Sequence, residues 1–255
     1  MITCGIDAGS RAIKIVLFDA QRQAVLAAGA ADQGVQQDRL ARQLYERLLA
    51  EAGIAHEQVT ARAATGYGRN IISFAERTIT EITCHAVGVH HVWPEARTLV
   101  DIGGQDSKVV RLGADGAVED FAMNDRCAAG TGRFLEVMAQ RLELRLDELG
   151  DIAARSTQPA VISSMCVVFA ETEIIGLLAA GADPADIVAG VQASIVRRVA
   201  AMAGRQVCPP VAFTGGGALV SGMDRALAAA LEQPVRVVPA PRMTGALGAA
   251  ILAAR

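Results

Sequence analysis

Apolar and polar residues alternate through GIDAGSRAIKIVLFDAQRQAVLAAG, which reads as a strand, a tight turn, a second strand and a further turn at Asp19 to Gln21. The same order returns in VDIGGQDSKVVRLGADGAVEDFAM, with its later turn at Gly113 to Gly116. Between these runs the period changes to that of a helix. Leu40, Leu44, Leu48 and Leu49 predict a helix over Asp38 to Gly53, closed by its glycine, and Glu81 to Trp93 predicts another that stops before Pro94. Further on, Phe134, Leu135, Met138 and Leu142, and then Phe169, Ile174, Leu177 and Leu178, again follow a helical period. An apolar strand over Val211 to Phe213 precedes a helical stretch from about Ser221 to Glu232. The chain therefore alternates strands and helices in two similar halves that face each other.

The repeat carries chemistry as well as shape. Asp7, Gly9, Ser10 and Lys14 form Asp-x-Gly-Ser-x-x-x-Lys, and Asp101, Gly103, Gly104 and Lys108 keep the same seven-residue step from aspartate to lysine. Glycine at a strand end lets backbone amides approach phosphate oxygens, while an aspartate there holds magnesium, usually through water. One hairpin then grips one end of a phosphate chain and its repeat the other. Either copy alone is equally a plain β-hairpin with a surface aspartate; two in register favour the phosphate reading. A third cluster, Thr214-Gly215-Gly216-Gly217-Ala218, suits close backbone approach to a ribose or adenine, with an ordinary strand-to-helix turn as the alternative.

Composition sets limits on partners. The chain has 255 residues, 52% of them apolar, and a net charge of −3 without a basic run, so nucleic acid and anionic membranes are poor partners. No stretch resembles a membrane span, since Glu171 and Glu173 interrupt the most apolar region, and the N-terminus shows no signal-peptide pattern. The expectation is a cytoplasmic protein.

Five cysteines at positions 4, 84, 127, 166 and 208 are too scattered for a disulfide framework. Cys4 and Cys208 border strand-like segments and read as small buried hydrophobes. Cys84 has His85, His90 and His91 nearby, but adjacent helical residues point apart, so a structural role is preferred to a metal site. Cys127 and Cys166 each precede a helical pattern, where a helix N-terminus favours thiolates and anionic clusters. A four-iron cluster takes four thiolates, and there is no CxxC pair here. If both are ligands, two chains must share one cluster on a two-fold axis. Their separation alone fits no local ligand pattern and suits two chemically silent thiols.

The three glycine elements resemble the phosphate and adenosine motifs of the superfamily of actin, sugar kinases and heat-shock chaperone ATPases. More closely, GIDAGS, ATGYGRN (Ala64 to Asn70), DIGGQDSK, MNDRCAAGTGRFLE, SSMCVVFAETE, FTGGGA and GALGAA resemble the ATP-dependent activators of 2-hydroxyacyl-CoA dehydratases, within the family that includes the benzoyl-CoA reductase ATPase subunits. The resemblance spans essentially the whole chain. It implies an α/β, duplicated ATPase fold with two facing βββαβα-type domains. The first would span residues 1–97 and be joined by a C-terminal helix at about 243–255. The second, 98–242, would carry the cluster cysteines.

The resemblance also implies a homodimer with one [4Fe-4S] cluster held by Cys127 and Cys166, ATP or ADP and Mg2+ as further cofactors, and ATP hydrolysis coupled to one-electron transfer. Gln105 would orient the attacking water or sense the terminal phosphate, with Asp101 and Asp7 serving magnesium. Gly9, Ser10, Arg11, Lys14, Gly103, Gly104, Asp106, Gly130, Thr131, Gly132, Gly215, Gly216 and Gly217 would line the nucleotide. Arg11 departs from the Gly-Ser-Thr usual in this family, and either contacts phosphate or points into solvent. The implied partners are a reduced ferredoxin or flavodoxin as electron source and a 2-hydroxyacyl-CoA dehydratase or related iron-sulfur reductase as acceptor. The alternatives are a benzoyl-CoA reductase-type ATPase subunit, a small-molecule kinase, or a regulatory ATPase without redox chemistry.

Overall fold

Strands β1 (Ile2–Ala8) and β2 (Ala12–Asp19) pair antiparallel around the first glycine turn, and β3 (Ala24–Asp32) follows on the far side of β2. This computed structural model describes residues 1–163, 166–204 and 207–255. Helix α1 (Gln37–Ala52) buries Ala41, Leu44, Tyr45, Leu48 and Leu49, the stripe expected from the sequence, and each leucine so buried contributes about 1.5–3 kcal/mol. Gly53 ends it in the left-handed conformation, with its N–H turned back to the last carbonyls of the helix. Strands β4 (Val59–Thr65) and β5 (Arg77–Thr78) then add parallel to β1, and α2 (Glu81–Val92) starts at an N-capping Thr80 and stops at Trp93.

The second half repeats the plan. Strands β6 (Thr98–Ile102) and β7 (Ser107–Leu112) form the second glycine hairpin, followed by β8 (Val118–Asn124). Helices α3 (Gly132–Arg141), α4 (Leu149–Ala153), α5 (Val167–Ala179) and α6 (Pro184–Ala203) come next. Strand β9 (Val211–Thr214), helix α7 (Met223–Leu231), strand β10 (Val235–Val237) and helix α8 (Thr244–Ala253) complete the chain.

The two five-stranded sheets run β3-β2-β1-β4-β5 and β8-β7-β6-β9-β10, the same order of hairpin, third strand and parallel additions. This identity of topology is the structural form of the repeat seen in the sequence.

Two units result. One comprises Met1–Glu95, Leu112–Glu119 and Arg242–Arg255; the other comprises Ala96–Arg111 and Asp120–Pro241. In the first, the β1-β2-β4 sheet is covered by α1 on one face, through Ile6, Ile13, Ile15 and Leu17, and by α8 on the other, through Val16, Phe18, Ala246 and Ala250. In the second, α3, α5, α6 and α7 share a core with β6, β7 and β9 built on Phe134, Met138, Ile174, Ile195 and Phe213. No helix among the described residues is long and apolar enough to cross a membrane.

Candidate functional site

The two hairpins share strand register and turn bonding. Across β1 and β2, Asp7 stands opposite Lys14; across β6 and β7, Asp101 stands opposite Lys108. Gly9 N–H donates to Ala12 C=O at 3.1 Å, and Gly103 N–H donates to Asp106 C=O at 2.9 Å, so the turns Gly9-Ser10-Arg11-Ala12 and Gly103-Gly104-Gln105-Asp106 match. Arg11 and Gln105 occupy equivalent, exposed places at the tips. A seven-residue step from aspartate to lysine is therefore what a two-residue turn between paired strands requires for the two side chains to meet.

Each meeting is an ion pair in a largely dry setting. Lys14 Nζ donates to Asp7 Oδ2 at 2.8 Å. Lys108, only 2% exposed, donates to Asp106 Oδ2 at 2.6 Å and to Asp101 Oδ2 at 3.4 Å, while Thr214 Oγ1 donates to Asp101 Oδ1 at 2.9 Å. These bonds hold the carboxylates in fixed orientation at the strand ends, which suits a magnesium ion bound through water. Lys108 belongs to the repeated motif and Thr214 to the third glycine cluster, but their bonds to Asp101 are seen only in the fold. The recurring spacing pointed to the lysine, but Thr214 meets Asp101 across the parallel β6-β9 pairing, beyond any local pattern.

The third glycine cluster follows β9 directly. Gly215 has φ 85° and lies so close to Ile102 that a Cβ would stand 2.4 Å from its carbonyl oxygen, so only glycine fits. Gly216 is exposed and begins the turn Gly216–Leu219 that leads to α7.

Gly130, Thr131 and Gly132 sit where the loop after β8 enters α3. Thr131 is the N-cap, and its hydroxyl donates to Ala128 C=O at 2.5 Å. The first two amides of α3 are bound: Gly132 N–H donates to Gly103 C=O and Arg133 N–H to Gly104 C=O, both at 2.8 Å. The structure thus brings Gly103, Gly104 and Gly132 together through the backbone.

Cys127 and Cys166 are both exposed thiols in the second unit. Asn124 organises the Cys127 loop: its Oδ1 accepts from Cys127 N–H at 3.2 Å and its Nδ2 donates to Cys127 C=O at 2.8 Å and Ala129 C=O at 3.2 Å. Asparagine at the end of a strand, three residues before the cysteine, is the turn signal for this loop. Cys166 is the N-cap residue of α5, and its carbonyl accepts from Ala170 N–H at 2.8 Å. Ser163, before it, donates from both N–H and Oγ to Glu173; Ser164 of the same motif lies outside the described residues. Val161, Val168, Phe169 and Ile175 around Cys166 are exposed apolar side chains.

The other cysteines divide. Cys4 and Cys84 are fully buried, and burial pushes the Cys84 thiol up to about 12, so neither is a ready ligand. Cys208 is exposed, contrary to the reading of a buried hydrophobe. Its N–H and C=O are both bonded to Thr98 Oγ1 at 2.8 Å, which fixes the backbone at the sheet margin and leaves the side chain outside. His85 is buried with its Nδ1 2.9 Å from Thr244 Oγ1, and His91 packs edge-on against Phe18, so these residues diverge from Cys84. Among the described residues no three His, Cys, Asp or Glu side chains converge on a metal position.

Paired glycine hairpins with a third glycine turn, on two sheets of equal topology, define an ATPase of the actin and sugar-kinase fold. The fold alone is shared with a ROK hexokinase from Thermus thermophilus, at TM-score 0.57 and 16% identity, covering all of this chain and 98% of that one. The chain belongs to the BadF/BadG/BcrA/BcrD ATPase family, which it matches over residues 4–253. It is 43% identical to the activator of lactoyl-CoA dehydratase from Anaerotignum propionicum, over 99% of this chain and 97% of that protein. A solved structure of the activator of the 2-hydroxyisocaproyl-CoA dehydratase from Clostridium difficile, with bound ADPNP, matches at TM-score 0.92 and 42% identity, covering 99% of this chain and 94% of that one.

Proposed function

We propose that this protein is an ATP-dependent one-electron donor that activates a 2-hydroxyacyl-CoA dehydratase or a related iron-sulfur reductase. The observation that carries the reading is the pair of exposed thiols, Cys127 and Cys166, at the entrances of α3 and α5 in a member of this ATPase family. Two thiolates are half of what a four-iron cluster takes, and the described residues of one chain offer no converging third ligand. Two copies of the chain fit the group. Cys127 and Cys166 from each would hold it, and the apolar side chains beside Cys166 give a second copy a surface to cover. When bound, a [4Fe-4S] cluster supplies a site for a single low-potential electron.

The remaining chemistry belongs to the chain. Gly9 and Gly103 close the two turns with their own N–H groups, so that Ser10 and Gly104 would present backbone amides to the phosphates of ATP, with Lys14 and Arg11 adding positive charge. Asp7 and Asp101, held by their lysines, would hold Mg2+, which would supply positive charge beside the phosphates, and Gln105 positions the attacking water. Asp106 fixes Lys108, Gly130 to Gly132 support the second turn, and Gly215 to Gly217 approach the nucleoside. ATP and water become ADP and phosphate, while one electron enters from reduced ferredoxin or flavodoxin and leaves to the partner.

The test is reconstitution under anaerobic conditions. With a purified 2-hydroxyacyl-CoA dehydratase, ATP and a low-potential reductant, dehydration of the hydroxyacyl-CoA starts only when this protein and ATP are both present. Activation without ATP, or hydrolysis of ATP without any activation of dehydratases or aromatic reductases, contradicts the reading.

A further inference from the structure

The second phosphate turn is bonded directly to the start of α3, and the end of α3 is bonded in turn to α5. Two of the four amides at the start of α3 are spent on Gly103 and Gly104 carbonyls, at 2.8 Å each, so the start of the helix is tied to the backbone of the turn. Gly132 makes this approach possible: a Cβ there would stand 3.0 Å from the Gly103 oxygen. Any change in the peptide planes of the turn moves the N-terminus of α3 and the Asn124-organised loop that bears Cys127.

The far end of α3 carries the second connection. Arg141, in its last turn, donates through Nε and a terminal nitrogen to Glu171 Oε1 on α5, five residues beyond Cys166. Helices α3 and α5 also share one apolar core, to which Phe134, Leu135, Met138, Ala170 and Ile174 belong. The ion pair adds a charge-assisted, directional tie between the two helices, through one carboxylate oxygen. Resting on the proposed ATP-driven function, we propose that Arg141 and Glu171 are positioning residues that pass the state of the Gly103-Gly104 turn on to the Cys166 helix, so that both thiols move as one with the nucleotide.

Hydrogen exchange read at single amides tests this on the full-length protein, with ADP or a non-hydrolysable ATP analogue as the ligand. In the wild type, exchange at Gly132 and Arg133, and at Ala170, differs between the two nucleotides. In Arg141→Gln and Glu171→Gln, the difference at Gly132 and Arg133 persists, ATP affinity and basal hydrolysis are unchanged, and the difference at Ala170 falls about threefold or more. Exchanging the charges, Arg141→Glu with Glu171→Arg, restores it, a rescue that a merely structural role does not give. If Ala170 responds in both single variants as in the wild type, the ion pair is not the link and apolar packing carries the motion. If nucleotide binds but no wild-type amide responds, the coupling is refuted while ATP binding stands. Failure of either nucleotide to bind overturns the proposal together with the function on which it rests.

Discussion

Lys108→Met separates the two hairpins that the sequence presents as equals. Lys108 is 2% exposed and faces Asp101, itself buried, at 3.4 Å, and Asp106 at 2.6 Å; the Lys14 side chain keeps 18% exposure beside Asp7. Removing the cation from the second hairpin leaves Asp101 as a desolvated carboxylate facing the Thr214 hydroxyl, whereas Asp106, with 23% exposure, recovers water. Breaking a buried pair by deleting one partner costs about 3–5 kcal/mol. Lys14→Met, in a wetter site, is expected to cost about 1–3 kcal/mol. For a chain of this size the Lys108→Met loss corresponds to a fall in Tm of roughly 6–20 °C. The assay is urea denaturation followed by circular dichroism without nucleotide, which would otherwise add binding free energy, with hydrogen exchange in β6 and β7 assigning the transition to the second unit. Adding Asp101→Asn to Lys108→Met should return part of the loss, because the uncompensated charge is then gone. A Lys108→Met cost below about 1 kcal/mol, or a larger cost for Lys14→Met, refutes the reasoning.

Burial holds the His91 imidazole below its ordinary value of 6.5, so the unfolded chain binds that proton first. Stability attributable to His91 is therefore complete above about pH 6.5 and declines as the pH falls toward the folded value; in His91→Gln the pH profile of denaturation midpoints is flatter across that window. Gly248→Ala would set a Cβ 1.8 Å from the Cys84 carbonyl oxygen where α8 crosses α2, and is expected to cost at least about 3 kcal/mol; a thermal midpoint equal to wild type would show that the crossing tolerates separation. Gly132→Ala, with its Cβ 3.0 Å from the Gly103 oxygen, is expected to slow ATP hydrolysis more than it lowers Tm, as read by steady-state phosphate release against a melting curve.

Much of this architecture was legible because it is local. The hairpin repeat, the α1 stripe with Gly53 as its cap, the end of α2 before Pro94 and the start of α5 at Cys166 each follow from residues within a few positions of one another. Helix α6 was missed, although Asp183 as N-cap and Pro184 at the first helical position announce it; Asp183 Oδ1 accepts from Ala185 N–H at 2.8 Å. Other features depend on distant partners. Thr214 meets Asp101 across 113 positions and Thr98 fixes Cys208 across 110, so the role of the first and the exposure of the second have no local signature. Arg141 and Glu171 look like any surface charges until the fold sets their helices side by side.

In the proposed function, two chains complete one site. Native mass spectrometry of anaerobically purified protein, with iron analysis, tests it most directly. The expected result is a dimer carrying about four irons per two chains, and a Cys166→Ser variant that keeps its fold and loses the iron. An iron-free wild type, or a Cys166→Ser dimer with full iron content, would contradict it.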